Sequence, residues 1–386
     1  MARFSIGDTF QGAHMFIQLH ILSSLPVHVP NRGADGLAKR AVFGGYERQR
    51  ISYQAQQYAL RHSDMMPELE RAAAVGHTHR TSLVGERLLK PALEQAGISD
   101  AESWTHTIMG LWRKEKEAKD TDGKEDDTGE VEGSAPLIVG EQEVRLFEAV
   151  VLACVKAGVE PVQLRGLIEK KKLPKDTDPS VVDAIHALKT SQGSIGLDGA
   201  LFGRMATGIA VATVDRAVRF SDALTTHAIT PVSDFFLTTD DLKDRAAGEA
   251  GGSHINTREE SAGLFYRHIL IDTNQLERNG VPLSVVEPLV KGMLVVSPIG
   301  NRSPARTVEA LVEVGGQVRS LMDAFAIPVA RQDEAVHRLR DQCDSDYDLY
   351  GVPQAVYWLS EQAPVKVDAL AAAVGSVVSS ESGKAA

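Results

Sequence analysis

KRAVFGGYERQRISYQAQQYALR, residues 39–61, is the stretch around which the rest of the chain can be read. Gly44 and Gly45 let the backbone turn with positive φ or pass close to a ligand. The alternation Arg48-x-Arg50 sets two guanidinium groups on one face of an extended strand. Ser52 reads as an N-cap, so the free amides of the following helix point the same way as the arginines. Ile51, Ala55 and Ala59 then form an apolar line, and Gln54, Gln57 and Arg61 a separate polar line at spacings of three and four. A glycine turn, two strand arginines and a helix N-terminus make a unit suited to a run of phosphates.

The chain has 386 residues, 43% of them hydrophobic, enough for two or three domains with a sizeable core. No apolar run approaches the ~18 to 20 residues of a membrane span, and residues 1–15 lack the pattern of a signal peptide. A cytoplasmic protein is expected. Cys154 and Cys343 have no metal-ligand spacing and read as small buried hydrophobes. The net charge of −11 argues against nucleic acid as a global number, but its distribution is uneven. Residues 1–61 hold seven Lys/Arg against three Asp/Glu, whereas residues 114–132 hold four against nine. An acidic insert thus masks a locally basic N-terminal region.

Phe16–Leu22 alternates as a strand and leads past Pro26 and Pro30 into a loop with Asn31, Arg32 and Gly33. Helical patterns dominate residues 63–192, interrupted by a polar, charged loop at 114–136. Strand signals return at 224–231 and 263–272, whose pairing would make the excursion between them, with Phe235 and Phe236 at its root, a projecting hairpin. The last eight or so residues read as disordered. These elements predict an α+β fold with a helical insertion and a projecting loop.

The commonest enzyme signatures are missing: no GxxxxGK[ST], no GxGxxG after a strand and no GxSxG elbow. His77 and His79 lack the further ligands of a zinc site. Asp344, Asp346 and Asp348 have neither the glycine nor the closing Glu of a calcium loop, and read as solvated acids. No cofactor and no metal are expected.

The order of FGG-x-x-R-x-R-I-S-x-Q (Phe43–Gln54), ALFGRMAT (200–207), Thr225-Thr226-His227, DFFLTTDDL (234–242) and SAGLFYR (261–267), after FIQLHIL (Phe16–Leu22) and Asn31-Arg32, resembles the CasC-type backbone subunit of the type I-E CRISPR Cascade complex. The resemblance implies a ferredoxin-like, RRM-like palm from residues 14–62 and 193–385, helical fingers at 63–192 and a thumb at 230–262. It also implies a non-catalytic protein that stacks head-to-tail with further copies of itself along CRISPR RNA. Its other partners would be the target DNA strand paired to the guide and the large, small, end-capping and crRNA-processing Cascade subunits. Arg32, Lys39, Gly44, Gly45, Arg48, Arg50, Ser52, Gln54, Gln57, Arg61 and Arg204 would contact RNA, and Met205 and Phe236 would wedge a nucleotide out of the stack. Gln57-Tyr58 stands where the family usually has Lys-Arg, and no RNP1 aromatic signature supports base stacking on the sheet centre. A rival reading follows from related type III backbone subunits, which cut RNA with a loop aspartate: Asp35 occupies the corresponding loop, although a lone carboxylate among glycines is ordinarily a turn residue.

Overall fold

A computed structural model describes residues 15–28, 31–112, 136–170, 172–191, 194–205, 213–229, 232–238, 254–300, 304–361 and 364–385. Most of the acidic 114–136 loop, the outer part of the 230–262 excursion and the final residue therefore lie outside the described residues. In chain order the elements are β1 (Phe16–His28), β2 (Arg40–Phe43), β3 (Tyr46–Ile51), α1 (Tyr53–Arg61), α2 (Met66–Ala73), β4 (Thr78–Thr81), α3 (Lys90–Gln95), α4 (Ala101–Trp112), β5 (Leu137–Gly140), α5 (Glu141–Lys156), α6 (Leu164–Glu169), α7 (Pro179–Thr190) and α8 (Gly196–Phe202). They continue with β6 (Val218–Phe220), β7 (Ala223–Thr225), β8 (Val232–Thr238), β9 (His254–Asp272), α9 (Thr273–Arg278), α10 (Val286–Val295), β10 (Arg306–Val314), α11 (Gln332–Tyr350), β11 (Ala355–Ser360) and α12 (Val367–Ala385). Two compact units result: residues 1–66, 219–272 and 286–386, and residues 67–218 with 273–285. The sequence-expected boundary at 192 thus falls inside the second unit. α12 extends to Ala385, so the expected disordered tail is helical through that residue.

The first unit is built on an antiparallel sheet in the order β11-β10-β1-β9-β7-β3-β2, with β6 and β8 also pairing with β9. β1 is an interior strand, paired with β10 and β9, and both of its faces are covered. Ile17, Leu19 and Ile21 are fully buried on one face and Gln18, His20 and Leu22 on the other. α10 and α12 pack with β10 on the first face, where Arg267 of β9 donates to the Met293 carbonyl of α10 at 2.7 Å. α11 covers the second through Ala335, Val336, Leu339 and Cys343, packed against Leu22, Tyr266 and Leu311. The inner part of β9 pairs with β1 and β7, while its outer part, His254–Glu260, pairs with β8. Pairing of Leu224 and Thr225 with Tyr266 and Phe265 joins the two segments that the sequence set at the root of the excursion.

The second unit is held by α4, α5 and α7. Trp104, Ile108, Leu111 and Trp112 fall at i, i+4, i+7 and i+8 and bury one stripe of α4. Trp112 meets Phe147 of α5 edge-on, with centroids 5.0 Å apart, and Cys154 is buried nearby in the same core. The helical reading of this region missed one element, the β4–β5 ribbon that pairs Thr78–Thr81 with Leu137–Gly140. His77 and His79 face Glu70 and Glu141 at 2.9 and 3.7 Å. Among the described residues no helix is long and apolar enough to cross a membrane.

Beneath α11 the sheet carries polar side chains instead of a dry core. His20 donates through Nε2 to Glu313 at 3.2 Å, and its Nδ1 accepts from the Tyr266 hydroxyl at 2.9 Å. That hydroxyl accepts in turn from the Leu321 amide at 2.9 Å. Arg319 bridges Glu313 at 2.8 Å and Asp346 of α11 at 3.0 Å. Asp346 is therefore a buried ion-pair partner, correcting its reading as a solvated acid. His268 stacks on His20 at 4.7 Å. Burial, with the neighbouring His20, pushes His268 down to about 3. Burial also lowers His20. Glu313 is buried too, but its bond to His20 and the charge of Arg319 hold it below the usual carboxylate range.

Both histidines are neutral in the fold, whereas in the unfolded chain they protonate near ~6.5. The unfolded chain then binds protons that the fold does not, so stability falls as pH drops below about 6.5, by up to about 1.4 kcal/mol per pH unit for each, and for His268 the fall continues toward about 3. Urea unfolding midpoints measured between pH 7 and 4.5 are expected to decline, and His268→Phe to flatten the decline. An equally steep profile in that variant would remove His268 from the account.

Candidate nucleic-acid interface

β2 and β3 are joined by a two-residue turn in which Gly44 and Gly45 take φ of +60° and +83°. Positive φ at both central positions is the geometry that lets a two-residue hairpin follow the strand twist. The two glycines serve different ends. A Cβ on Gly44 would lie 1.8 Å from the Ala326 carbonyl oxygen, whereas one on Gly45 would meet nothing within 4 Å. The close approach permitted by Gly44 is thus used by the chain itself and not by a ligand.

Alternation does place Arg48 and Arg50 on one face of β3, but that face is covered. Arg48 is fully buried. Its Nη1 donates to the carbonyls of Thr225 and Thr226 at 3.1 and 2.7 Å, and its Nη2 to those of Phe325 and Ala326 at 2.7 and 3.3 Å. The Phe43 and Tyr46 rings each lie 6.0 Å from its guanidinium carbon. Burial lowers its pKa from the ordinary arginine value. Arg48 is a cross-brace between three segments, correcting its reading as a phosphate ligand.

Arg50 is half-buried and donates to Asp222 Oδ2 at 3.0 Å. Asp222 Oδ1 accepts the Tyr53 amide at the start of α1 at 2.7 Å. A carboxylate thus occupies the helix N-terminus that sequence reading reserved for phosphate. Ser52 has the extended backbone of an N-cap but makes no side-chain cap bond; its hydroxyl donates to Asn31 Oδ1 at 3.1 Å. That bond, with one from the Ser52 amide to the same oxygen at 3.2 Å, ties the 31–39 loop to the start of α1. Asp222 had no signal in the sequence beyond being one acid among many.

The loop brings further predicted residues to this edge. Arg32 is exposed and its backbone bridges Ala38, and the Lys39 amide donates to the Asn31 carbonyl at 2.7 Å. Asp35 Oδ1 accepts the Leu37 amide at 3.0 Å, the bond of a turn residue. On α1, Gln56, Ala59 and Leu60 face inward, Gln54 is exposed, and Gln57 and Arg61 are half-buried. Arg32 and Lys39 therefore sit on a loop tied to the start of α1, and Gln54, Gln57 and Arg61 follow along that helix to its last turn. The basic count of this region overstated its surface charge, because Arg48 points inward and Arg40 pairs with Glu259 at 2.6 Å.

Arg204 belongs to the second unit, just after α8. Its guanidinium makes two 2.8 Å bonds to Glu143 and one of 2.7 Å to the Ile138 carbonyl, and it is 5% exposed. It is a buried structural pair, neither a surface arginine nor a phosphate contact as placed here. Its neighbour Met205 is 89% exposed. Phe236 is paired with Asn256 through the backbone of β8, and its side chain lies outside what is described; adjacent Phe235 is 60% exposed. Among the described residues no group of three or more His, Cys, Asp or Glu could hold a metal ion.

Chains of CRISPR RNA-guided surveillance complexes share this fold. One solved chain, described as "CRISPR RNA-guided surveillance complex, pre-nicking", superposes with a TM-score of 0.68 at 20% identity, over 94% of this chain and 99% of that one. A second, "CRISPR RNA-guided surveillance complex", gives 0.62 at 19% identity over 95% and 99%. No curated protein matches the chain. The family pattern of CT1975-like proteins matches residues 17–379, and the chain belongs to this Cas family.

Gly44→Ala and Gly45→Ala are expected to part company in thermal unfolding. The second carries only the ~1 to 2 kcal/mol of a left-handed backbone, while the first adds a collision with a carbonyl. Arg48→Ala takes a donor from four carbonyls, of which that of Thr226 keeps the Val329 amide, and is expected to cost at least about 1 to 3 kcal/mol. A soluble Arg48→Glu chain with an unchanged melting temperature would return Arg48 to the surface.

Proposed function

We propose that the chain is the CRISPR RNA-binding backbone subunit of a type I-E Cascade complex, acting in the cytoplasm. The observation that carries this reading is the loop bearing Arg32 and Lys39 tied through Asn31 and Ser52 to the start of α1, the helix that carries Gln54, Gln57 and Arg61, in a member of a Cas family. Cations and amides in this arrangement bind the phosphate backbone without reading bases, as a subunit must when the spacer varies. Copies stack head-to-tail along the guide, a heterologous and non-closing contact that makes a filament rather than a ring. The assembly presents the guide to target DNA and is completed by the large, small, end-capping and crRNA-processing subunits. The subunit cuts nothing: the Asp35 carboxylate is engaged in its own turn, which favours this over the ribonuclease reading.

Met205 and Phe236 are the apolar wedge of this proposal. A methionine left 89% exposed has little packing to lose and a nucleotide to gain. Met205→Ala is expected to leave the melting temperature unchanged and weaken target-strand binding several-fold; a drop of many degrees would mean that it packs in a core.

The reading is tested by expressing the chain with its partner subunits and a repeat–spacer transcript, purifying by size and sequencing the bound RNA. A guide of uniform length in a large particle is expected, and Arg32→Glu with Lys39→Glu is expected to lose it at an unchanged melting temperature. RNA retained by that double variant would sink the site, and wild-type particles free of RNA would sink the function.

A further inference from the structure

The outward stripe of α1 is aromatic where charge would be the simpler means of holding RNA. Gln54, Tyr58 and His62 fall at i, i+4 and i+8, one above another, with Gln57 and Arg61 beside them. Tyr58 is 60% exposed, an unusual place for a ring that has a buried face of the same helix available one residue later. Its ring is held there by His62, stacked at 3.9 Å and 26°. The imidazole is itself oriented by a 2.8 Å bond between Nδ1 and the Tyr58 carbonyl. The result is a flat π surface fixed before any ligand arrives, flanked by two amides and a guanidinium.

We propose that the Tyr58–His62 pair is a stacking platform for a nucleobase of single-stranded RNA, with Gln54, Gln57 and Arg61 holding the adjoining sugar-phosphate. The proposal rests on the RNA-binding reading above and deepens it. Stacking suits a guide of arbitrary sequence, because every base has a π face. It also carries no counterion release, so its contribution to affinity does not vary with salt, whereas the contribution of Arg61 does. Ordering costs are low as well, since both rings are already restrained by each other.

Binding of the purified full chain to a short oligo-uridine RNA, and to an abasic ribose-phosphate oligomer of equal length, is measured by fluorescence anisotropy over a range of salt. Tyr58→Ala is expected to weaken binding of the oligo-uridine about 10-fold with an unchanged salt slope, and to leave the abasic oligomer unaffected. Tyr58→Phe, which keeps the ring, is expected to bind as wild type. His62→Ala, which releases the ring, is expected to fall between the two. Equal affinity of wild type and Tyr58→Ala for oligo-uridine would overturn the platform while leaving the RNA-binding reading intact. So would an equal loss on both oligomers, which would mark a change in the helix and not in stacking. A wild-type chain that binds neither oligomer would overturn the reading on which the proposal rests.

Discussion

One guanidinium group holds the first unit together. Arg48 gathers four backbone carbonyls, two from the end of β7 and two from the turn that precedes α11, and the glycine beside Ala326 lets β3 come close enough for it to do so. A buried cation is tolerable only when most of its donors are met, and carbonyl dipoles meet both Nη groups here without a carboxylate, leaving Nε unpartnered. Removing the arginine would take a donor from each carbonyl, although that of Thr226 keeps the Val329 amide at 2.7 Å; removing any one segment would leave the charge less well met in a low-dielectric interior. The same arrangement recurs at Arg267, which uses the Met293 carbonyl and is pushed down to about 10 by its burial.

This inward use of arginine explains where sequence reading succeeds and where it fails. β1, the glycine hairpin, α1 and the pairing at the root of the β8–β9 ribbon were legible because each is written in local periodicity or turn chemistry. The turn role of Asp35 was legible for the same reason. The fate of Arg48 was not, because its partners are backbone carbonyls, which look alike in every sequence. Asp222 and Glu143 were equally silent: a lone acid 169 residues from Tyr53, or 61 from Arg204, carries no mark of its pairing. The ribbon of β4 and β5 escaped notice because four residues such as THRT are too short and too polar to show a period of two.

What remains on the surface after these pairings is sparse. Of the cations in residues 15–61, Arg40 and Arg50 are held by acids and Arg48 is inside. In the proposed role, a chain with a net charge of −11 cannot rely on its overall field to gather RNA, so geometry has to supply what charge does not. On that proposal, amides and rings on a fixed helix supply it without drawing unrelated polyanions to the rest of the molecule.

The position of β1 has a consequence for how the molecule is made. Among the described strands the earliest in the chain is an interior one, and one of its two partners, β10, begins only at Arg306. At roughly 5 to 20 residues per second, an apolar segment such as FIQLHIL waits on the order of 15 to 60 s for that partner. Arg48 waits as long for Phe325, 277 residues away. The second unit, whose core draws on a continuous run from Val84 to Leu188, can close in the meantime. Synthesis therefore inserts a finished body into an unfinished sheet, and yield in the cell depends on what shields β1 during the interval.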